Sequence, residues 1–247
     1  MLVVCQVALP APMPANGVSA SVAEQYIFSA ANAERTQRGL QPLRWDDSLA
    51  RAAEEHAQQM ASREAISHQF QGEPELSERA QQAGARFSVV AENVAEAPTA
   101  IAVQEAWMHS PGHRANLLDP RVNAMGVGVI SRGGELYAVE DFDRRVGNLS
   151  LGDQEAAVAN LLRTTSGIRV LPTTENARRT CAMETGYAGR REPWFVMRYT
   201  AGDLNRLPGT LKEKLASGKY HQAQVGACTA EGTQNFTAYS IAVMLYP

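Results

Sequence analysis

The apolar residues of the first half recur with two distinct periods. From about Val22 to Gln37 a helical spacing puts Tyr26, Ile27, Ala30 and Ala31 on one face, and Gly39 stops the segment. After the turn Gln41-Pro42-Leu43-Arg44-Trp45, Asp46 or Asp47 stands where a second helix needs its cap. The stripe of that helix is Leu49, Ala52, Ala53, His56, Ala57 and Met60, close to an ideal amphipathic pattern. His56 lies inside the stripe among Ala and Met neighbours and reads as a core-edge histidine. A loop with His68 leads to a short helix over about Pro74 to Gln82, closed by Gly84, and Val89 to Ala95 reads as a strand. Thr99 caps a helix from Ala100 to His109 that presents Val103 and Trp107 on one side. Ser110-Pro111 ends that helix and starts another: a residue before proline avoids the α region, and proline suits a first helical position. Met125 to Ile130 and Glu135 to Phe142 alternate as strands around Arg132-Gly133-Gly134, a hairpin turn.

Arg144 to Asp153 has little apolar periodicity and marks a boundary. The expected organisation is an N-terminal segment 1–20, a domain 21–146 and a smaller α+β domain 147–247. In the last, helices are expected over Gln154–Arg163 and Leu211–Ser217. Strands are expected over Ile168–Leu171, Phe195–Tyr199, His221–Cys228 and Thr237–Tyr246. No internal repeat is visible.

Charge and cysteines refine the picture. The net charge of −3 divides into −6 for residues 1–146 (12 Arg, no Lys, 18 acidic) and +3 for residues 147–247 (11 basic, 8 acidic). Neither half has a basic run, which argues against a nucleic-acid partner. Met1 to Leu9 is almost wholly apolar, and the following residues to Ala20 are rich in Pro, Ala, Gly and Ser. This looks like the end of a secretory signal, with Val18-Ser19-Ala20 as a small-residue cleavage site, although the charged start is missing. The alternative is an ordinary N-terminal tail. No later stretch reaches the ~20 apolar residues of a membrane span. If Cys5 leaves with the signal, Cys181 and Cys228 remain, an even pair that points to one disulfide in an exported chain. Two buried free thiols are the other possibility.

Several fragments of the first half occur together and in order. They are Asn32-Ala33-Glu34-Arg35, Leu43-Arg44-Trp45-Asp46, Arg79, Gly84 and Ala91-Glu92-Asn93-Val94. Then come Trp107 through Leu118 with His109-Ser110-Pro111-Gly112-His113-Arg114-Ala115-Asn116, Gly126-Val127-Gly128-Val129, and Tyr137 to Phe142. The set resembles the bacterial branch of the CAP superfamily, which includes plant pathogenesis-related and animal cysteine-rich secretory proteins. The resemblance covers about half the chain. It implies an α+β fold, an α-β-α sandwich with a small antiparallel sheet between helices, and a central cleft carrying two His and two Glu in many members. His68, Glu92 and His113 match three of these four. Ser110 stands where the eukaryotic pattern has its second glutamate.

Two imidazoles and a carboxylate supply three ligands, enough for zinc or another divalent cation with one open position. With Ser110 as N-cap, His113 would be the third residue of a helix, whose positive end disfavours imidazolium and leaves the ring neutral. The bland alternative makes Ser110 a cap, Glu92 an acceptor for nearby amides, and the histidines polar cleft walls. His109 is expected to face solvent, and His221 begins a strand with no evident partner. The function expected is a secreted or periplasmic, non-catalytic binding module whose cleft (His68, Glu92, Ser110, His113) holds a cation, a small ligand or an extracellular protein. The alternative is an extracellular hydrolase using Ser110 with His113, or a metal-bound water. The serine version lacks a Gly-x-Ser-x-Gly elbow, and Glu92 cannot be both ligand and base.

Overall fold

The structure, a computed structural model, describes residues 20–229 and 238–247. The apolar segment 1–19, with Cys5 and most of the cleavage motif, and Thr237 at the start of the last expected strand lie outside the described residues. The chain divides after Arg145 into two compact units.

The first unit holds α1 (Val22–Gln37), β1 (Arg44–Trp45), α2 (Asp47–Arg63), α3 (Leu76–Gln82), β2 (Phe87–Ala97), α4 (Ala100–His109), α5 (Pro111–Leu117), β3 (Ala124–Arg132) and β4 (Glu135–Arg145). Its sheet has the order β1-β3-β4-β2. β1 runs parallel to β3, and the other pairs are antiparallel. Gly133 and Gly134, both at positive φ, form the two-residue turn of the β3–β4 hairpin, as the right-handed strand twist requires. One sheet face packs on α2. Ala53, Ala57, Met60 and Ala61 meet Val94, Tyr137 and Val139 there. The other face packs on α1, α4 and α5 through Ile27, Phe28, Val103, Trp107 and Leu117 against Met125, Val127, Ala138 and Phe142. The unit is therefore an α-β-α sandwich.

Small motifs fix its frame. Ser21 and Glu24 form a capping box on α1, and the Asp46 side chain accepts from Ser48 and Leu49 at the start of α2. Asn32 pairs both ways with the Leu43 backbone, at 3.1 and 2.7 Å. The buried Arg35 guanidinium donates to the carbonyls of Gln41, Leu117 and Asp119. The Asn-x-x-Arg motif thus ties α1 to the loops around it. Gly126 and Gly128 lie directly under α2. A methyl built on Gly126 would be 2.1 Å from the Ala50 nitrogen, and one on Gly128 2.2 Å from the Glu54 nitrogen. Only glycine lets the helix backbone approach so closely.

The second unit holds α6 (Leu151–Ser166), β5 (Arg169–Val170), α7 (Glu175–Ala182), β6 (Phe195–Ala201), α8 (Gly209–Ala216), β7 (Gln222–Cys228) and β8 (Tyr239–Tyr246). Its strand order is β5-β7-β8-β6, with β5 parallel to β7 and the other pairs antiparallel. This is the topology of the first unit, strand for strand, so a structural repeat exists where the sequence shows none. Cys181 and Cys228 form a disulfide with Cα atoms 5.7 Å apart. The apolar periodicity predicts no element over 172–194. α7 was missed because it is short and polar, with Ala177 and Cys181 as its buried apolar residues.

Trp107 is fully buried, and its indole N–H donates to the Val94 carbonyl at 3.1 Å, tying α4 to β2. Trp107→Ala is expected to destabilise the protein by about 3–5 kcal/mol; an unchanged melting temperature would refute that role. β4 also carries acids into the core. Burial pushes Glu140 up to about 8, despite a hydrogen bond from Asn93, and pushes Asp143 up to about 7 beside the Asp46 charge. The unfolded chain releases these protons near pH ~4, whereas the folded chain keeps them until near neutrality. Their contribution is therefore fully present below the unfolded pKa and is lost progressively from there until pH passes the folded values of about 7 and about 8, by up to about 1.4 kcal/mol per pH unit and group. Melts from about pH 5 to about pH 8 should show a falling Tm, with a shallower slope in Glu140→Gln; equal slopes would count against a buried neutral Glu140.

Candidate functional site

β2 passes between the two layers, so its successive residues serve opposite faces. Glu92 points to the side of α2 and α3. Its Oε1 lies 2.8 Å from His68 Nδ1, and its Oε2 accepts a hydrogen bond from Arg79 Nη2. Arg79, on α3, also donates to the carbonyls of His68 and Pro74, at 3.2 and 3.1 Å. It thereby fixes both the carboxylate and the loop that carries His68. Glu92 is 5% exposed, whereas the His68 side chain is 62% exposed. The pair joins a buried anchor to a solvent-facing ring.

Asn93 serves the opposite layer. Its amide donates to the His113 carbonyl at 3.0 Å and to Glu140 Oε2 at 3.2 Å. Asn116 donates to Asn93 Oδ1 and to the Glu92 carbonyl, at 3.0 and 3.1 Å. The Glu-Asn motif of β2 and the His-x-x-Asn motif of α5 are one hydrogen-bonded unit, and it holds α5 and His113 in place.

The two histidines are driven apart electrically. The hydrogen bond from His68 to Glu92 raises its pKa against the opposing effect of burial. Burial, then the nearby His68 charge, lowers that of His113. The surroundings therefore favour the imidazolium form at His68 and the neutral ring at His113. Beneath them, burial and the Glu92 charge push Asp141 well above the usual carboxylate range.

His56 is no core-edge residue. It is fully buried, with Nδ1 2.7 Å from Glu73 Oε1 and Nε2 2.8 Å from the Ser67 carbonyl. It ties α2 to both ends of the His68 loop. Its place in an apolar stripe was the available clue, since a buried imidazole requires acceptors. Arg79, Glu73, Asn93 and Asn116 were not assigned to the site from sequence, although Arg79, Asn93 and Asn116 stood in the motif set.

Ser110 ends α4 and precedes α5 in an extended conformation (φ −85°, ψ 120°), and its side chain makes no capping hydrogen bond. Ser110 holds the N-cap position expected of it, with Pro111 as the first helical residue, but its hydroxyl makes no hydrogen bond to the amides of the first turn. His109 is exposed, with Nδ1 2.7 Å from the Glu105 carbonyl. The His221 N–H donates to the Tyr246 carbonyl, so this residue serves the sheet through its backbone.

The residues present do not make a ready metal centre. Among the described residues no group of three or more His, Cys, Asp or Glu is arranged to hold a metal ion. Both Glu92 oxygens are engaged, one by a guanidinium whose charge opposes a second cation.

Comparison with known proteins agrees with the frame. Residues 28–142 match the family described as the Cysteine-rich secretory protein family, CAP. The uncharacterized protein YkwD of Bacillus subtilis is 33% identical over 116 residues, covering 47% of this chain and 45% of that protein. The uncharacterized membrane protein YlbC of the same organism is 30% identical over 129 residues, covering 51% of this chain and 35% of that protein. The chain thus spans less than half the length of these relatives. An extracellular protein containing a SCP domain from Bacillus anthracis superposes with a TM-score of 0.47 at 30% identity, over 50% of this chain and 40% of that one. With its motifs accounted for by an α-β-α sandwich, the first unit of this chain carries, over residues 28–142, a match to the cysteine-rich secretory protein, or CAP, family.

Proposed function

We propose that the first unit is an exported, non-catalytic binding module whose cleft, walled by His68, Glu92, Ser110 and His113, receives a small ligand or a group of an extracellular partner. The observation that carries this reading is the state of Glu92. A carboxylate clamped between Arg79 and His68 is neither a free general base nor a free ligand for a cation. It serves instead to hold His68 protonated and directed outward, where the ring can donate to an acceptor on a partner. Among the described residues no helix is long and apolar enough to cross a membrane, which is compatible with export.

A divalent cation could enter only by displacing the His68 proton and the Glu92–Arg79 bond, so binding would weaken as pH falls. Ser110 is not a convincing nucleophile. Its backbone occupies an ordinary extended region, unlike the strained elbow that exposes a nucleophilic serine.

Ser110→Ala tests the reading. With no capping bond to lose, the variant should melt within about 0.5 kcal/mol of the parent. Neither protein should hydrolyse p-nitrophenyl acetate above the buffer rate. Wild-type turnover that disappears in Ser110→Ala, or in Glu92→Gln, would overturn the non-catalytic assignment. Elemental analysis finding one equivalent of zinc in the purified protein would overturn the ligand class.

A further inference from the structure

The shared topology lets the two sheets be compared position by position. In the first unit Glu92, Asp141 and Gly126 stand side by side across β2, β4 and β3; in the second, Arg198, Ala242 and Gly226 do so across β6, β8 and β7. Gly226 lies under α7 as Gly126 lies under α2: a methyl built there would be 2.1 Å from the Ala177 carbonyl oxygen. Along the same face, Val94, Val139 and Gly128 correspond to Thr200, Ser240 and Cys228.

The helices above these positions differ in length. α2 has 17 residues and continues over Val94 and Val139, whereas α7 has 8 residues and ends at Ala182. The disulfide joins the last turn of α7 to Cys228, at the position of Gly128. Among the described residues no helix lies on the sheet face beyond that staple. A cavity of about 510 Å³ opens there, lined by Ala182, Arg198, Thr200, Thr229, Ser240 and the disulfide. The side chains agree with the lost cover, since two valines of the first unit have become Thr200 and Ser240.

The chemistry of the cavity is that of an anion receptor. Arg198 takes the place of Glu92 and reverses its charge. Its Nε donates to the Thr180 carbonyl at 2.7 Å and Nη2 to the Gly186 carbonyl at 2.5 Å. These bonds hold the guanidinium without neutralising it, and among the described residues no carboxylate pairs with it. Partial burial disfavours its charged form, a cost that a bound anion would offset. The hydroxyls of Thr200, Thr229 and Ser240 add donors, while Ala182 and the disulfide supply an apolar wall that a bare inorganic ion would leave wet. We propose that this cavity binds a small organic carboxylate, its charge on Arg198 and its apolar body against the disulfide. The volume lies within the range of pockets for small ligands, about 300–1,000 Å³.

Amide NMR of the full oxidised chain tests this, with benzoate as probe, benzamide as its neutral counterpart and inorganic phosphate as the bare ion. Benzoate should give saturable shifts at Thr200, Cys228 and Ser240, with benzamide and phosphate at least about tenfold weaker. Arg198→Gln should weaken benzoate by about tenfold or more. Because Arg198 also holds two carbonyls, Thr200→Tyr provides a second variant that fills the cavity and leaves the guanidinium in place; it too should abolish saturation. The proposal fails if benzoate gives no saturable shift, if benzamide or phosphate binds as well, or if either folded variant binds benzoate like the parent.

Discussion

Both units depend on a helix whose backbone rests directly on a β-strand, where only glycine leaves room. In the first unit Gly126 and Gly128 admit α2 at Leu49–Ala50 and Ala53–Glu54; in the second Gly226 admits α7 at Ala177–Arg178. This close approach determines what else can lie on that face of the sheet. Where α2 continues, its Ala and Met residues bury Val94, Tyr137 and Val139, and His56 reaches across to Glu73 and the His68 loop. Where α7 stops, a cystine secures the helix end, and among the described residues the remaining face is polar and open.

The site in the first unit follows from this layering. A strand held between two helical layers must send alternate residues to opposite sides. Glu92 therefore meets Arg79 and His68 on one side, while Asn93 gathers Glu140, the His113 carbonyl and Asn116 on the other. Adjacent residues in one motif do separate jobs: one anchors Arg79 and His68, the other holds α5 in place. The buried acids of β4 belong to the same arrangement, since a low-dielectric sheet centre keeps Glu140 and Asp143 protonated into the neutral range.

Much of this was legible in the chain. The helical stripe from Leu49 to Met60, the proline at the start of α5 and the Gly-Gly hairpin state their structure locally, and the ordered motifs pointed to the family. Local pattern could not supply partners. That Arg79 would reach Glu92, or that His56 would bridge Glu73 and Ser67, depends on contacts between loops and helices distant in sequence. The cap position of Ser110 was legible from the proline that follows it, whereas the missing bond from its hydroxyl to the first turn was not. In the second half the repeat escaped notice for a related reason. What the units share is strand order and a glycine under a helix, properties of tertiary contact that leave little trace in residue identity. The polar helix α7 carried too few apolar residues to declare itself.

The unequal histidines are the most direct consequence of the Arg79–Glu92–His68 arrangement, and their titration by NMR in the folded protein tests it. The expected result is two separate curves, His68 above the ordinary histidine value of about 6.5 and His113 below it. A common midpoint for both rings would mean that Glu92 does not hold His68, and the site as described would not exist.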